Sequence, residues 1–294
     1  MKTGISIYLS SPLQDIERTI ERGAAAGARY AFTSLHIPED GGAVRHVLSL
    51  LSARGIALIA DVGPRTCDLL GLGRIEDLRD LGLEYLRLDY GFSAQRVAEL
   101  SGVFRIVVNA STVSSDEIAS WREAGADVTR FAACHNFYPK PYTGLALEDI
   151  ARTNLRLAAL GFEIMAFVPG DANVRGPVFE GLLTVEAQRG RASKVALNML
   201  ELAHGADCDI VLVGDPDLSD AGWPQCFHRR IGGGRIHVVA QALQECGRTA
   251  AHFALPWHGC RCRCGACAQA RGLLSDRQWL QGFVPRLKGM PDRW

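Results

Sequence analysis

Lysine is scarce in this 294-residue chain. Only Lys2, Lys140, Lys194 and Lys288 stand among its 32 basic residues, and the rest are arginines. Schiff-base catalysis needs a lysine amine at the reacting centre. Of the four, only Lys140 sits in a loop that directly follows a strand-like run, so carbonyl condensation and pyridoxal phosphate chemistry are disfavoured. Net charge is also missing: Lys+Arg and Asp+Glu balance at 32 each. A chain without a global field does not draw in nucleic acid or an anionic membrane. No apolar run reaches the ~18 residues of a membrane helix. The opening M-K-T-G-I-S-I-Y-L-S is apolar only from Ile5 to Leu9, too short for a signal-peptide core. These absences predict a cytoplasmic protein with no nucleic-acid or membrane partner.

What is present is ordinary globular composition, 48% hydrophobic and 22% charged, with length for one large domain or one domain plus a small appendage. Nine cysteines occur. Cys67, Cys134, Cys208 and Cys226 are scattered, as reduced thiols of a cytosolic protein would be, and Cys246, Cys260, Cys262, Cys264 and Cys267 crowd the C-terminal part.

Short apolar runs recur, each followed by a helical pattern. The strand candidates are 4–9, 29–34, 56–61, 84–89, 105–109, 128–133, 163–168 and 209–213. Helix candidates lie between them, at 12–26, 42–54, 75–81, 94–100, 116–124, 147–160 and 193–204. Gly27, Gly55, Gly125 and Gly161 stand where C-cap glycines belong. Apolar strands alternating with helices imply an α/β protein with a parallel sheet covered on both faces. Eight units in this length fit a closed (β/α)8 TIM barrel over residues 1–235. An open doubly wound sheet would carry a glycine-rich phosphate loop after its first strand, and Tyr8-Leu9-Ser10-Ser11-Pro12 is no such loop.

Active sites of such barrels lie at the C-terminal strand ends. Those ends carry Ser10, His36 with Glu39 and Asp40, Asp61, Asp89-Tyr90, Asn109 with Ser111 and Thr112, His135-Asn136, Asp171 and Asp215. Single aspartates such as Asp61 or Asp215 also serve as helix N-caps. Histidines are not clustered as a metal-dependent hydrolase would want, so neither metal nor cofactor is expected. Cys134 beside His135 is no evidence for a dyad, because neighbours on a strand point to opposite faces. Carboxylate chemistry remains: Asp89, Asp215, Glu39, Glu180 and Glu186 are the candidates for the acid and the base or nucleophile of a glycosidase pair. The loop after the seventh strand, V-P-G-D-A-N-V-R-G-P-V-F-E-G, is long and holds Arg175, a residue type suited to bidentate phosphate recognition. The segment A-C-H-N-F-Y-P-K-P-Y-T-G-L (133–145) packs aromatic, amide and proline residues into what reads as a rigid ligand wall.

Seven blocks, G-I-S-I-Y-L-S (4–10), F-T-S-L-H-I-P-E (32–39), L-R-L-D-Y-G-F (86–92), V-N-A-S-T (108–112), the 133–145 segment, M-A-F-V-P-G-D-A-N-V-R-G-P-V-F-E-G-L (165–182) and V-G-D-P (213–216), resemble the bacterial 6-phospho-N-acetylmuramidases. The resemblance implies a barrel and a small β-rich C-terminal domain. It also implies a cytoplasmic glycoside hydrolase of peptidoglycan recycling, which splits N-acetylmuramic acid 6-phosphate from β-1,4-linked N-acetylglucosamine. Strand position then singles out Asp89 as nucleophile or base and Glu180, with Asp215 as rival, as general acid. His36, Glu39, Asn109, His135, Asn136 and Tyr142 are expected on the sugars, and Arg175 with Ser111 or Lys140 on the phosphate. Two other readings stay open: a metal-assisted phosphosugar hydrolase or isomerase using His36, Asp61, Asp89 and His135, and a non-catalytic sugar-phosphate binding protein.

The resemblance fades after about Arg235. Residues 236–294 form a short Cys-rich extension, expected to be a remnant of, or replacement for, the small domain. Its C-x-C-x-C-x2-C is tighter than paired C-x2-C zinc knuckles and has no second pair, so no metal is expected there. An altered reading frame would account for its change of character, and a homodimer is left open.

Overall fold

The computed structural model of the protein describes residues 1–35, 41–63, 65–88 and 91–227. Eight parallel strands close into a barrel in chain order: β1 (Lys2–Ser6), β2 (Tyr30–Ser34), β3 (Ala57–Val62), β4 (Leu83–Leu88), β5 (Arg105–Asn109), β6 (Ala132–Cys134), β7 (Glu163–Val168) and β8 (Ile210–Val213). β8 returns to β1 with Lys2, Thr3 and Gly4 opposite Ile210, Val211 and Leu212, which leaves no sheet edge. The helices are α1 (Leu13–Ala26), α2 (Gly41–Ala53), α3 (Thr66–Leu70), α4 (Ala94–Ser101), α5 (Ser115–Glu123), α6 (Leu147–Ala158), α7 (Val195–Gly205) and α8 (Gly222–Phe227). No helix among the described residues is long and apolar enough to cross a membrane.

Local chemistry sets these boundaries. Ser114 and Glu117 form a reciprocal capping box that starts α5. Gly27, at φ 100°, closes α1 in the left-handed conformation that a side chain resists. The sixth strand is shorter than the periodicity predicts. The Asp127 side chain accepts the Thr129 N–H at 3.1 Å and caps a 3-10 turn over Val128–Arg130, so the strand begins only at Ala132. The seventh helix likewise begins at Val195, after a 3-10 stretch Glu186–Lys194 that is kinked at Arg191.

Two apolar layers result. One lies between strands and helices. The other fills the lumen with Phe32, Ile59, Tyr85, Val107, Ala132, Cys134, Met165, Phe167, Ile210 and Leu212. Below the lumen layer, at the N-terminal end, the Glu163 carboxylate accepts hydrogen bonds from Tyr85 Oη (2.7 Å), Arg105 (2.9 Å) and Lys2 (2.5 Å). That charged cluster joins the N-terminal parts of β1, β4, β5 and β7.

Candidate active site

Strand alternation decides which side chains reach the C-terminal end of the barrel. Phe32, Phe167 and Phe137 meet edge to face, with ring centres 5.1 and 5.2 Å apart, and form an aromatic floor. Above Phe32 lies the guanidinium of Arg87, two residues along β4 from the lumen-facing Tyr85. It donates to Asp61 Oδ1 at 2.6 Å and to Asn136 Oδ1 at 2.5 Å, so one arginine ties together β3, β4 and the exit of β6. Asp61 and Arg87 are both largely buried. A charge at Arg87 inside an apolar strand was the sequence signal for this link, and it was not singled out as a site residue. Asn109 ends β5, and its Oδ1 accepts the N–H of Ser111 at 3.0 Å, which leaves the Ser111 side chain exposed at the rim.

His135 corrects an expectation. Ala132, Cys134 and Asn136 face the lumen side, so His135 faces out toward α6. There its Nε2 pairs with Asn154 Oδ1 at 2.7 Å, and the residue is 1% exposed. Burial lowers its pKa and so favours the neutral ring, against a weaker, opposing effect of the Asn154 hydrogen bond. This histidine cannot hold a sugar at the mouth or join a metal cluster with Asp61. Cys134 is fully buried, and burial pushes its thiol up to about 12, in keeping with a packing role.

Asp215 corrects a second expectation. It is 1% exposed, and its carboxylate accepts three backbone N–H groups: Gly170 at 2.9 Å, Leu182 at 3.0 Å and Arg175 at 3.1 Å. Both oxygens are engaged in holding the loop after β7. That is the arrangement of a structural anchor, with both oxygens turned to backbone N–H groups.

The anchored loop presents the remaining candidates. The Arg175 guanidinium carbon lies 3.8 Å from the centre of the Tyr8 ring, and the side chain donates to Ser10 Oγ at 3.1 Å. Among the described residues no carboxylate pairs with this guanidinium. Tyr8 donates its hydroxyl to the Gly214 carbonyl oxygen, and burial raises its pKa. Beside Arg175 opens a cavity of about 230 Å³ lined by Tyr8, Ser11, Arg18, Thr19, Asn173 and Phe179 among others. Glu180 follows on the same loop with an exposed side chain that has no hydrogen-bond partner among the described residues.

The loop after β6 carries Lys140 and Tyr142, both exposed, with Tyr142 95% accessible at φ 66°. Glu186 holds this loop from the other side, accepting the N–H of Tyr142 (2.9 Å) and Gly144 (2.7 Å). Arg189, followed by these two N–H groups, pulls the Glu186 carboxyl down to about 2. Neither Arg189 nor Tyr8 was expected at the site from the sequence: Tyr8 reads as part of the apolar first strand, and nothing in the local pattern of Arg189 distinguishes it from a solvated surface residue. The expected residues His36, Glu39 and Asp89 and the whole of the 236–294 extension lie outside the described residues, as does the 228–235 end of the expected barrel.

Residues 3–227 match the profile of a family described as 6-phospho-N-acetylmuramidase, N-terminal. No curated protein matches the chain. Among solved structures, a conserved Enterococcus faecalis protein of unknown function is 33% identical over 74% of this chain and 62% of its own, with a TM-score of 0.70. An uncharacterised B. cereus protein is 24% identical over 78% of this chain and 65% of its own, with a TM-score of 0.64, a likeness that shows the fold. The chain thus spans less than two thirds of the length of either protein.

Proposed function

The chain belongs to the 6-phospho-N-acetylmuramidase family through its N-terminal domain, and from that membership we propose that it is a cytoplasmic glycoside hydrolase acting on a phosphorylated disaccharide. The substrate is N-acetylmuramic acid 6-phosphate joined β-1,4 to N-acetylglucosamine, and the setting is peptidoglycan recycling. The observation that supports this reading is the Arg175 guanidinium: set against Tyr8 and joined to Ser10, it pairs with no carboxylate among the described residues. A phosphate dianion supplies the missing charge, and arginine binds it through paired N–H donors.

The other roles follow from position. Asn136 and Asn109 lie at the mouth as amide ligands for sugar hydroxyls, with Tyr142, Lys140 and Ser111 on the rim. Cleavage of a glycosidic bond requires one carboxyl to protonate the leaving oxygen and a second to attack the anomeric carbon or activate water. Glu180, exposed on the loop that carries Arg175 and with no side-chain partner among the described residues, takes the acid role. Asp89, two residues along the sequence from Arg87, takes the second. Asp215 is withdrawn from the acid role by its three accepted N–H groups.

The test is product analysis on the 6-phosphorylated disaccharide and on its unphosphorylated analogue, with wild type and Arg175→Met. We expect the wild type to release N-acetylglucosamine from the phosphorylated substrate. Arg175→Met should lose roughly 10- to 100-fold in kcat/KM on that substrate alone, the worth of charge-assisted hydrogen bonds. Equal cleavage of both substrates by the wild type refutes the phosphate reading.

A further inference from the structure

We propose that Glu186 and Arg189 form the positioning element of the active site, locking the loops after β6 and β7 into one substrate-binding arrangement. The proposal rests on the reading of those loops as the substrate wall. Arg189 is mostly buried, with its side chain 11% exposed. Its Nε and one terminal nitrogen donate to the two Glu186 oxygens at 2.8 and 3.0 Å. The same guanidinium donates to Tyr138 O (2.9 Å) and Lys140 O (3.0 Å) of the first loop, with a longer contact to Pro139 O at 3.5 Å. It also donates to Glu180 O (2.8 Å) and Gly181 O (3.2 Å) of the second. Glu186 completes the clamp by accepting the Tyr142 and Gly144 N–H groups.

The two residues therefore hold the backbone on both sides of Lys140, Tyr142 and Glu180. Two features indicate that this geometry is imposed on the loops. Tyr142 and Phe179 both sit in the left-handed region, at φ 66° and 58°, where a non-glycine residue costs about 1–2 kcal/mol. Strain of this kind persists only where the surroundings over-determine it, and it clusters at ligand clamps. Gly144 shows how close the fit is: a Cβ there would lie 2.7 Å from Glu186 Oε2 and 2.9 Å from the Glu186 backbone. An arginine rather than a lysine is required, because only a planar fork can serve carbonyls of two segments and a carboxylate together.

A purely structural pair would lower stability and leave the catalytic constants of the surviving folded enzyme alone. A positioning pair changes the constants of enzyme that is still folded. The experiment compares full-length wild type, Arg189→Lys, Arg189→Met and Glu186→Gln by hydrogen exchange, thermal unfolding and steady-state kinetics on the 6-phosphorylated disaccharide. We expect both Arg189 variants to exchange at least about tenfold faster in peptides covering 138–144 and 178–183, with the strand peptides unchanged. We expect KM to rise about tenfold or more, and Arg189→Lys to fail to restore it. Glu186→Gln, which keeps the shape, should show the same pattern more weakly and serves if the Arg189 variants do not fold. Unchanged exchange in both loops overturns the clamp. Faster exchange with KM and kcat within twofold of wild type overturns its role in substrate binding. If the wild type cleaves nothing, the phosphosugar reading fails and the exchange data decide the clamp by themselves.

Discussion

Arg175 rests on Tyr8: the guanidinium carbon is 3.8 Å from the ring centre, and the Tyr8 hydroxyl is tied in turn to the carbonyl of Gly214 in the turn after β8. The phenol thus links the start of the chain to the loop after β7 and gives the cation a fixed seat. A cation on an aromatic face gains roughly 0.5–2 kcal/mol according to how dry it is.

Tyr8→Leu should therefore raise KM for the phosphorylated disaccharide by roughly 3- to 30-fold, the kinetic equivalent of that stacking energy. Tyr8→Phe keeps the ring and should stay within a few-fold of wild type. Steady-state kinetics on the two variants settles it, and equal KM values for them would discard the stacking role.

Arg87 predicts a coupling. Replacing it with Met deprives the largely buried Asp61 of a 2.6 Å ion pair and Asn136 of a 2.5 Å donor. Breaking one side of a buried pair costs about 3–5 kcal/mol, while replacing both sides together costs much less. In a denaturant double-mutant cycle, Arg87→Met with Asp61→Leu should be less destabilising than the sum of the singles by more than about 1 kcal/mol. Strict additivity would show that the pair is not energetically linked.

His135 predicts an acid limb in the stability profile. Its folded pKa lies below the unfolded value because burial disfavours the charged ring. The unfolded chain then binds more protons, so its contribution is fully present above the unfolded pKa of about 6.5 and is lost as pH falls from there toward the folded pKa. Urea unfolding between pH 8 and 5 should show falling stability below about pH 6.5, and His135→Gln should flatten that fall. An unchanged slope in the variant would assign the acid limb to other groups.

The eight strands were legible because a strand buried on both faces must be apolar along its length, and lengths such as I-V-V-N and E-I-M-A-F-V satisfy that without any tertiary information. Capping residues were legible for a similar reason, since Ser114 and Glu117 act within three residues of each other. The sixth strand slipped because Asp127 competes for the backbone two residues on, a local bond stronger than the apolar pattern. His135 and Asn136 show the limit at the site itself. Both are polar and adjacent, and only the register of β6 in the closed sheet sends one to α6 and the other to Arg87.

By itself, then, the sequence determined the barrel and the family to which its motif blocks belong, because each depends on residues close together in the chain. Tertiary structure decided what individual polar residues do. Asp215 became an anchor because Gly170, Arg175 and Leu182 converge on it from 33 to 45 residues away. Arg189 became a clamp because Tyr138, 51 residues earlier, and Glu180, nine residues earlier, turn their carbonyls to one guanidinium. A buried charge takes its function from whatever the fold brings to it, and that neighbourhood is set only once the barrel closes.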